Sequence, residues 1–137
     1  MKEYEDLGHM EPVKSQEGKN TCYFLPHYPV FKENSSTTKT RVVIDGGAKT
    51  SNGLSPNDIL KVGPTVQQNL YSIVLQFRTH KVCFTDDITK MYRQVVVHPE
   101  DRDLQRILWR YSSEEPIQEY RLTTVTYGTS SAPFLAT

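Results

Sequence analysis

Long apolar runs are missing from this sequence. Nowhere do ~18 apolar residues follow one another, so no membrane-crossing helix and no membrane partner are expected. Cysteine is scarce too. Cys22 and Cys83 are the only two, and no Cys-x-x-Cys occurs. That excludes a disulfide framework and a zinc-finger ligand set, and it sets the expectation of a reducing, intracellular and cytoplasmic location. No two of His9, His27, His80 and His98 have the i, i+4 spacing of a helical metal site. Net charge is absent, with 16 basic against 16 acidic residues. This excludes a binder that works by bulk positive charge and leaves room for a local basic groove. The acidic N-terminus lacks the apolar stretch of a signal peptide. Apolar content is low, 36% with eight Tyr included, against ~45–50% with Gly in typical domains. The 137 residues amount to one domain or a piece of a larger one. Some of its apolar surface is therefore expected to pack on something outside the chain.

Residues 1–20 are polar and are expected to be loosely ordered or dependent on a partner surface. Residues 21–137 form the structured remainder. CYFLPHYPVF (22–31) is interrupted by Pro26 and Pro29 and predicts an edge strand or extended strap. TRVVID (40–45) is β-branched and predicts a strand ended by Gly46-Gly47, with a loop through 58. Val66, Leu70, Ile73, Val74 and Phe77 share one helical face, which predicts a helix over 65–79. KVCFTDDI (81–88), QVVVH (94–98), RILWRY (106–111) and IQEYRLTTVTY (117–127) predict four strands, with a short helical turn after Pro99. The final GTSSAPFLAT predicts a loop opening a helix. The pattern is α+β with a largely antiparallel sheet and a few helices.

Three groups of residues carry possible chemistry. Asp86-Asp87 closes a hydrophobic run, a good place to hold Mg²⁺, which takes one or two carboxylates plus waters and phosphates. If the run is a strand, only one of the two faces a given site. The plain alternative is a solvated turn. Lys32, Lys39, Arg41 and Lys49 flank the Val42-Val43-Ile44 strand, and Arg41 can clamp a phosphate with two donors. The alternative is an exposed edge arginine. Tyr127-Gly128 precedes Thr129-Ser130-Ser131-Ala132-Pro133, where glycine permits close backbone approach to a ligand. The alternative is an ordinary turn with a helix cap. His98-Pro99-Glu100-Asp101 is explained by capping.

Taken in order, these residues resemble a reverse transcriptase. The strings are R-V-V-x-D from Arg41 to Asp45, F-T-x-D-x-x-x-M-Y-R-Q-V-x-V-H-P-E-D from Phe84 to Asp101, and Y-G-T-x-S-A-P-F from Tyr127 to Phe134. More narrowly, the chain resembles the Bel-Pao class of long-terminal-repeat retrotransposon polyproteins. YFLPHYPVFKE (23–33), AKTSNGLSPNDIL (48–60), VGPTVQ (62–67) and DLQRILWR (103–110) support this, so the likeness spans roughly residues 4–137.

The resemblance implies the fingers and first part of the palm of a polymerase. It makes Asp87 the first catalytic aspartate and a ligand of Mg²⁺, with Ile88 contributing its main-chain carbonyl. Tyr92 stands where the family screens the sugar 2′-OH. Arg41 and Lys39 match residues that grip the incoming triphosphate. Gly128 matches the glycine beside the nascent base pair, although many relatives carry Gln where this chain has Tyr127. Gln94 lies where the family approaches the primer-template. Asp86 departs from the small residue usual there. The implied partners are an RNA or DNA template with its primer, dNTPs, and the remaining palm, thumb and RNase H regions of a polyprotein. A virus-like particle is the implied setting within the cell. The family completes a two-metal site with a Tyr-x-Asp-Asp hairpin, and the 137 residues contain no such string. The expectation is a fragment, inactive alone. A non-catalytic nucleic-acid-binding remnant of a transposable element is the alternative.

Overall fold

The computed structural model describes residues 1–14, 21–32 and 40–137. Alternation organises the larger sheet. In β5 (Gln118–Leu122), Tyr120 and Leu122 face the interior and Arg121 the opposite side. β4 (Arg106–Trp109) pairs antiparallel to it, with Ile107 opposite Tyr120 and Arg106 opposite Arg121. On the other flank, β1 (Met10–Pro12) puts Met10 opposite Leu122 and Glu11 opposite Arg121, giving the order β1-β5-β4. Pro12 is tolerated because β1 is an edge strand and the ladder loses no donor there. Beside β4, the Arg106 N–H donates to the Tyr23 carbonyl at 2.9 Å and the Leu25 N–H donates to the Arg106 carbonyl at 2.7 Å. This parallel bridge brings Leu25 into the core.

The second sheet is the antiparallel pair β2 (His27–Phe31) and β3 (Thr40–Ile44), with His27 opposite Ile44. Ile44 is buried and Val42 packs behind it, so Arg41 and Val43 share the other face. Met10, Leu25, Ile44, Ile107, Tyr120 and Leu122 form one apolar cluster that joins the two sheets. The helices are short: α1 (Lys2–Asp6), α2 (Pro56–Ile59), α3 (Leu70–Phe77) and α4 (Ala132–Leu135). The architecture is α+β, with small antiparallel sheets and few helices. No helix among the described residues is long and apolar enough to cross a membrane.

Five expectations change. Within the polar N-terminal segment, residues 1–14 are part of the fold: β1 is paired and Met10 is buried. The remainder of that segment, 15–20, lies outside the described residues. Helix α3 begins at Leu70 rather than near 65, because the Asn69 side chain accepts from the Tyr71 N–H at 2.8 Å and caps it there. Residues 81–88 form no strand. Apolar character alone does not make one without a ladder partner, and Val82 and Phe84 are 81% and 88% exposed. At 94–98, the expected strand is reduced to a bridge between Val96 and Thr124, preceded by a 3₁₀ turn, Met91–Gln94. Lys90 enters that turn with a left-handed φ of +54°, which breaks any extended run. The strand expected over 117–127 likewise ends at Leu122 and continues only as that bridge.

Candidate functional site

Where β3 ends, three segments meet around Asn57. Asn57 is the second residue of α2. The Ser55 N–H and hydroxyl both donate to the Asp58 carboxylate, at 2.9 and 2.8 Å, and Pro56 pre-sets the first helical turn. So fixed, the Asn57 amide donates to the Gly128 carbonyl at 2.9 Å and its oxygen accepts from the Ser130 N–H at 2.8 Å. Its backbone N–H donates to the Gly46 carbonyl at 3.0 Å. Gly128 has φ +93°, and a Cβ there would collide with the Ile44 carbonyl. Glycine is thus required twice over, by conformation and by close approach. A Cβ on Gly46 would in turn sit 2.5 Å from the Gly128 carbonyl oxygen.

Next to this clasp lies a chain of rings. Tyr92 and Tyr127 have centroids 4.6 Å apart, tilted by 56°. The Arg93 guanidinium sits 3.5 Å from the Tyr4 ring centroid and 6.0 Å from that of Tyr127. Arg93 is 7% exposed. Burial pushes its pKa below the usual arginine value, while Tyr4, Tyr127 and Glu3 push it back up. Burial raises the Tyr4 phenol, and Arg93 opposes that. Lys90 pairs with Glu3, which holds the Glu3 carboxyl below its usual value.

The structure brings Tyr92 and Gly128 together through Tyr127. Arg41 is exposed on β3, three residues and roughly 10 Å along the strand from the Ile44 that Gly128 touches. Lys39 lies outside the described residues. Gln94 is exposed and donates to the Thr89 carbonyl at 2.9 Å. Asp87 and Ile88 are exposed in the non-strand stretch. Ile88 is tied to the turn that carries Tyr92 by the Met91 N–H, which donates to the Ile88 carbonyl at 3.2 Å. The two aspartates do not alternate across a sheet. Instead, the Asp87 N–H donates to the Asp86 carboxylate at 2.8 Å, which folds Asp86 back on the backbone. Asp87 and the neighbouring Ile88 carbonyl are oxygen donors suited to one hard cation. Among the described residues, no three His, Cys, Asp or Glu side chains gather to hold a metal. Asp87 and the Ile88 carbonyl would offer two oxygens to a bound Mg²⁺, with its remaining positions left to water and phosphate.

Asn57, Arg93 and Tyr4 were not legible as site residues. The Ser-Pro-Asn-Asp string signals a helix start, which places Asn57 on a rigid turn but says nothing of Gly128, 71 residues away. No family model matches the chain, and no curated protein is significantly similar to it.

Proposed function

We propose that this chain is the fingers and first palm portion of an RNA-directed DNA polymerase from a Bel-Pao class retrotransposon. The observation that carries the reading is convergence. Tyr92 packs on Tyr127, and Gly128, the next residue, lies against Ile44 at the end of the strand that bears Arg41, so residues from three separate strings of the resemblance adjoin. The α+β architecture is compatible with a polymerase palm. In this reading Arg41, with Lys39, grips the triphosphate. Tyr92 screens the sugar 2′-OH, Gly128 adjoins the nascent base pair, and Gln94 lies near the primer-template. Asp87 and the Ile88 carbonyl hold Mg²⁺, which when bound neutralises phosphate charge and lowers the pKa of the attacking hydroxyl. The chain's own residues position the primer 3′-OH and the α-phosphate for in-line attack, and no covalent intermediate is needed. The partners are a primed template, dNTPs and the remaining palm, thumb and RNase H regions, in the cytoplasm or a virus-like particle.

The test restores the downstream palm from the parent gene and measures primer extension with Mg²⁺ and dNTPs. Asp87→Asn should abolish extension. Asp86→Asn should leave most of it, because the amide oxygen can still accept the Asp87 N–H. Full extension by Asp87→Asn sinks the assignment.

A second reading is a nucleic-acid-binding remnant without catalysis. It is compatible with the side chains around Asp87, since no three His, Cys, Asp or Glu gather among the described residues. The genomic frame beyond Thr137 separates the two. A Tyr-x-Asp-Asp string a few dozen residues on supports the polymerase, and stop codons support the remnant.

A further inference from the structure

We propose that Arg93 is a positioning residue whose guanidinium, seated on Tyr4, sets the Tyr127 ring and the Gly128 turn, making the N-terminal helix part of the nucleotide site. The inference rests on the reading that Tyr92 and Gly128 receive a deoxynucleotide.

A buried cation is costly unless its charge is met. Around Arg93 it is met by ring faces, Tyr4 at 3.5 Å and Tyr127 at 6.0 Å. Glu3, whose charge also acts on Arg93, is paired with Lys90. Cation–π attraction strengthens when the pair is desolvated, and a guanidinium also stacks flat on a ring. Arg93 therefore holds two rings at defined places, where an apolar side chain of equal bulk would only fill volume.

The position of Arg93 gives this consequence. It lies between Tyr92 and Gln94 on a single 3₁₀ turn, so its orientation fixes theirs. Tyr127 is 45% exposed, in ring contact with Tyr92, and is followed directly by Gly128. Tyr4 is held in turn by α1, with its N–H donating to the Met1 carbonyl at 2.8 Å and its carbonyl accepting from His9 at 2.7 Å. The N-terminal helix thus grips the 90–93 segment twice, by Glu3 on Lys90 and by Tyr4 on Arg93. A packed chain Tyr4–Arg93–Tyr127–Tyr92 links the chain's start to the site.

The experiment uses the full 137-residue chain. The Gly128 amide is followed by ¹⁵N NMR, the thermal midpoint is recorded, and a fluorescent deoxynucleoside triphosphate is titrated with Mg²⁺. Arg93→Met and Tyr4→Leu keep bulk while removing the cation or the ring face. Both should move the Gly128 resonance and weaken nucleotide binding roughly tenfold. Arg93→Lys and Tyr4→Phe restore cation and ring, and should bind within about threefold of the parent. If one of the two disruptive variants melts early, the other carries the comparison, since each removes a different half of the same contact. A Gly128 resonance and an affinity unmoved by both overturn the positioning role. A parent chain that binds no nucleotide, while Gly128 still responds, overturns instead the reading of the site and the nucleotide part of the inference with it.

Discussion

At the scale of single residues, Gly128 is the most constrained position. Its φ of +93° and the Ile44 carbonyl against its Cα leave no room for a side chain. Gly128→Ala should destabilise the chain by at least about 1–3 kcal/mol, the usual cost of a strained backbone residue. Urea unfolding reads this, and an unchanged midpoint would mean the turn relaxes freely. Under the proposed function Tyr92 bears on chemistry. In the polymerase restored to length, Tyr92→Val should admit ribonucleotides with little loss of deoxynucleotide use, because a smaller side chain leaves space for a 2′-OH. Single-turnover incorporation of each nucleotide measures it, and unchanged discrimination would make Tyr92 simply the packing partner of Tyr127. Both residues were legible as candidates, since glycine and a tyrosine after Met91 stand in distinctive strings. Arg93 was not. A cation flanked by polar neighbours reads as solvated, and only the fold reveals that Tyr4 and Tyr127 cover it.

At the scale of elements, the strands that were legible are those with ladder partners. β3 and β4 follow β-branched or apolar runs, and both are paired. The 81–88 run has the same composition and no partner, which a local pattern cannot reveal. Register brings a further problem that the sequence hides. Arg106 and Arg121 fall directly opposite in the β4–β5 ladder, and like charges so placed repel. Asp103, 2% exposed, lies 2.9 Å from Arg106 and 3.7 Å from Arg121. Glu119 meets Arg106 at 2.8 Å, and Glu11 meets Arg121 at 2.7 Å. Asp103→Ala should cost roughly 3–5 kcal/mol, the usual penalty for removing one member of a buried ion pair. A loss below 1 kcal/mol in urea would show that the surrounding glutamates suffice. The run into β1 carries a pH dependence. Burial, with Arg93 and Lys90 nearby, holds the His9 imidazole below its ordinary value of 6.5. The unfolded chain then binds a proton more readily than the native one. Stability is therefore full above pH 6.5 and declines as pH falls below it. The urea midpoint should be lower at pH 5.5 than at pH 7.5, and His9→Gln should flatten that part of the profile.

At the scale of the whole molecule, a small packed cluster coexists with many exposed apolar side chains. Leu70, Tyr71, Val82, Phe84 and Ile88 are all exposed, and α3 buries no residue. Exposed apolar side chains in this number favour association, so the purified chain should be poorly soluble. Under the proposed function it should also fail to extend a primer with Mg²⁺ and dNTPs, because the two-metal reaction needs more fixed anionic charge than Asp87 supplies. Extension that disappeared with Asp87→Asn would show that another carboxylate completes the site. The low apolar content made this openness legible beforehand, but the composition gave no hint of which elements would be left uncovered. The Asn57 clasp has a last consequence, in time. Its hydrogen bonds to Gly128 and Ser130 span 71 and 73 residues. A ribosome adding ~5–20 residues per second needs roughly 4–15 s to travel from Asn57 to its partners. Through that interval α2 can be capped by its own Ser55 and Asp58, but the bonds that close the site have nothing to close on. Meanwhile the apolar stretch from 70 to 88 emerges in the same gap. The hazard thus falls in the interval between Asn57 and Ser130, and the site cannot close until that interval has been synthesised.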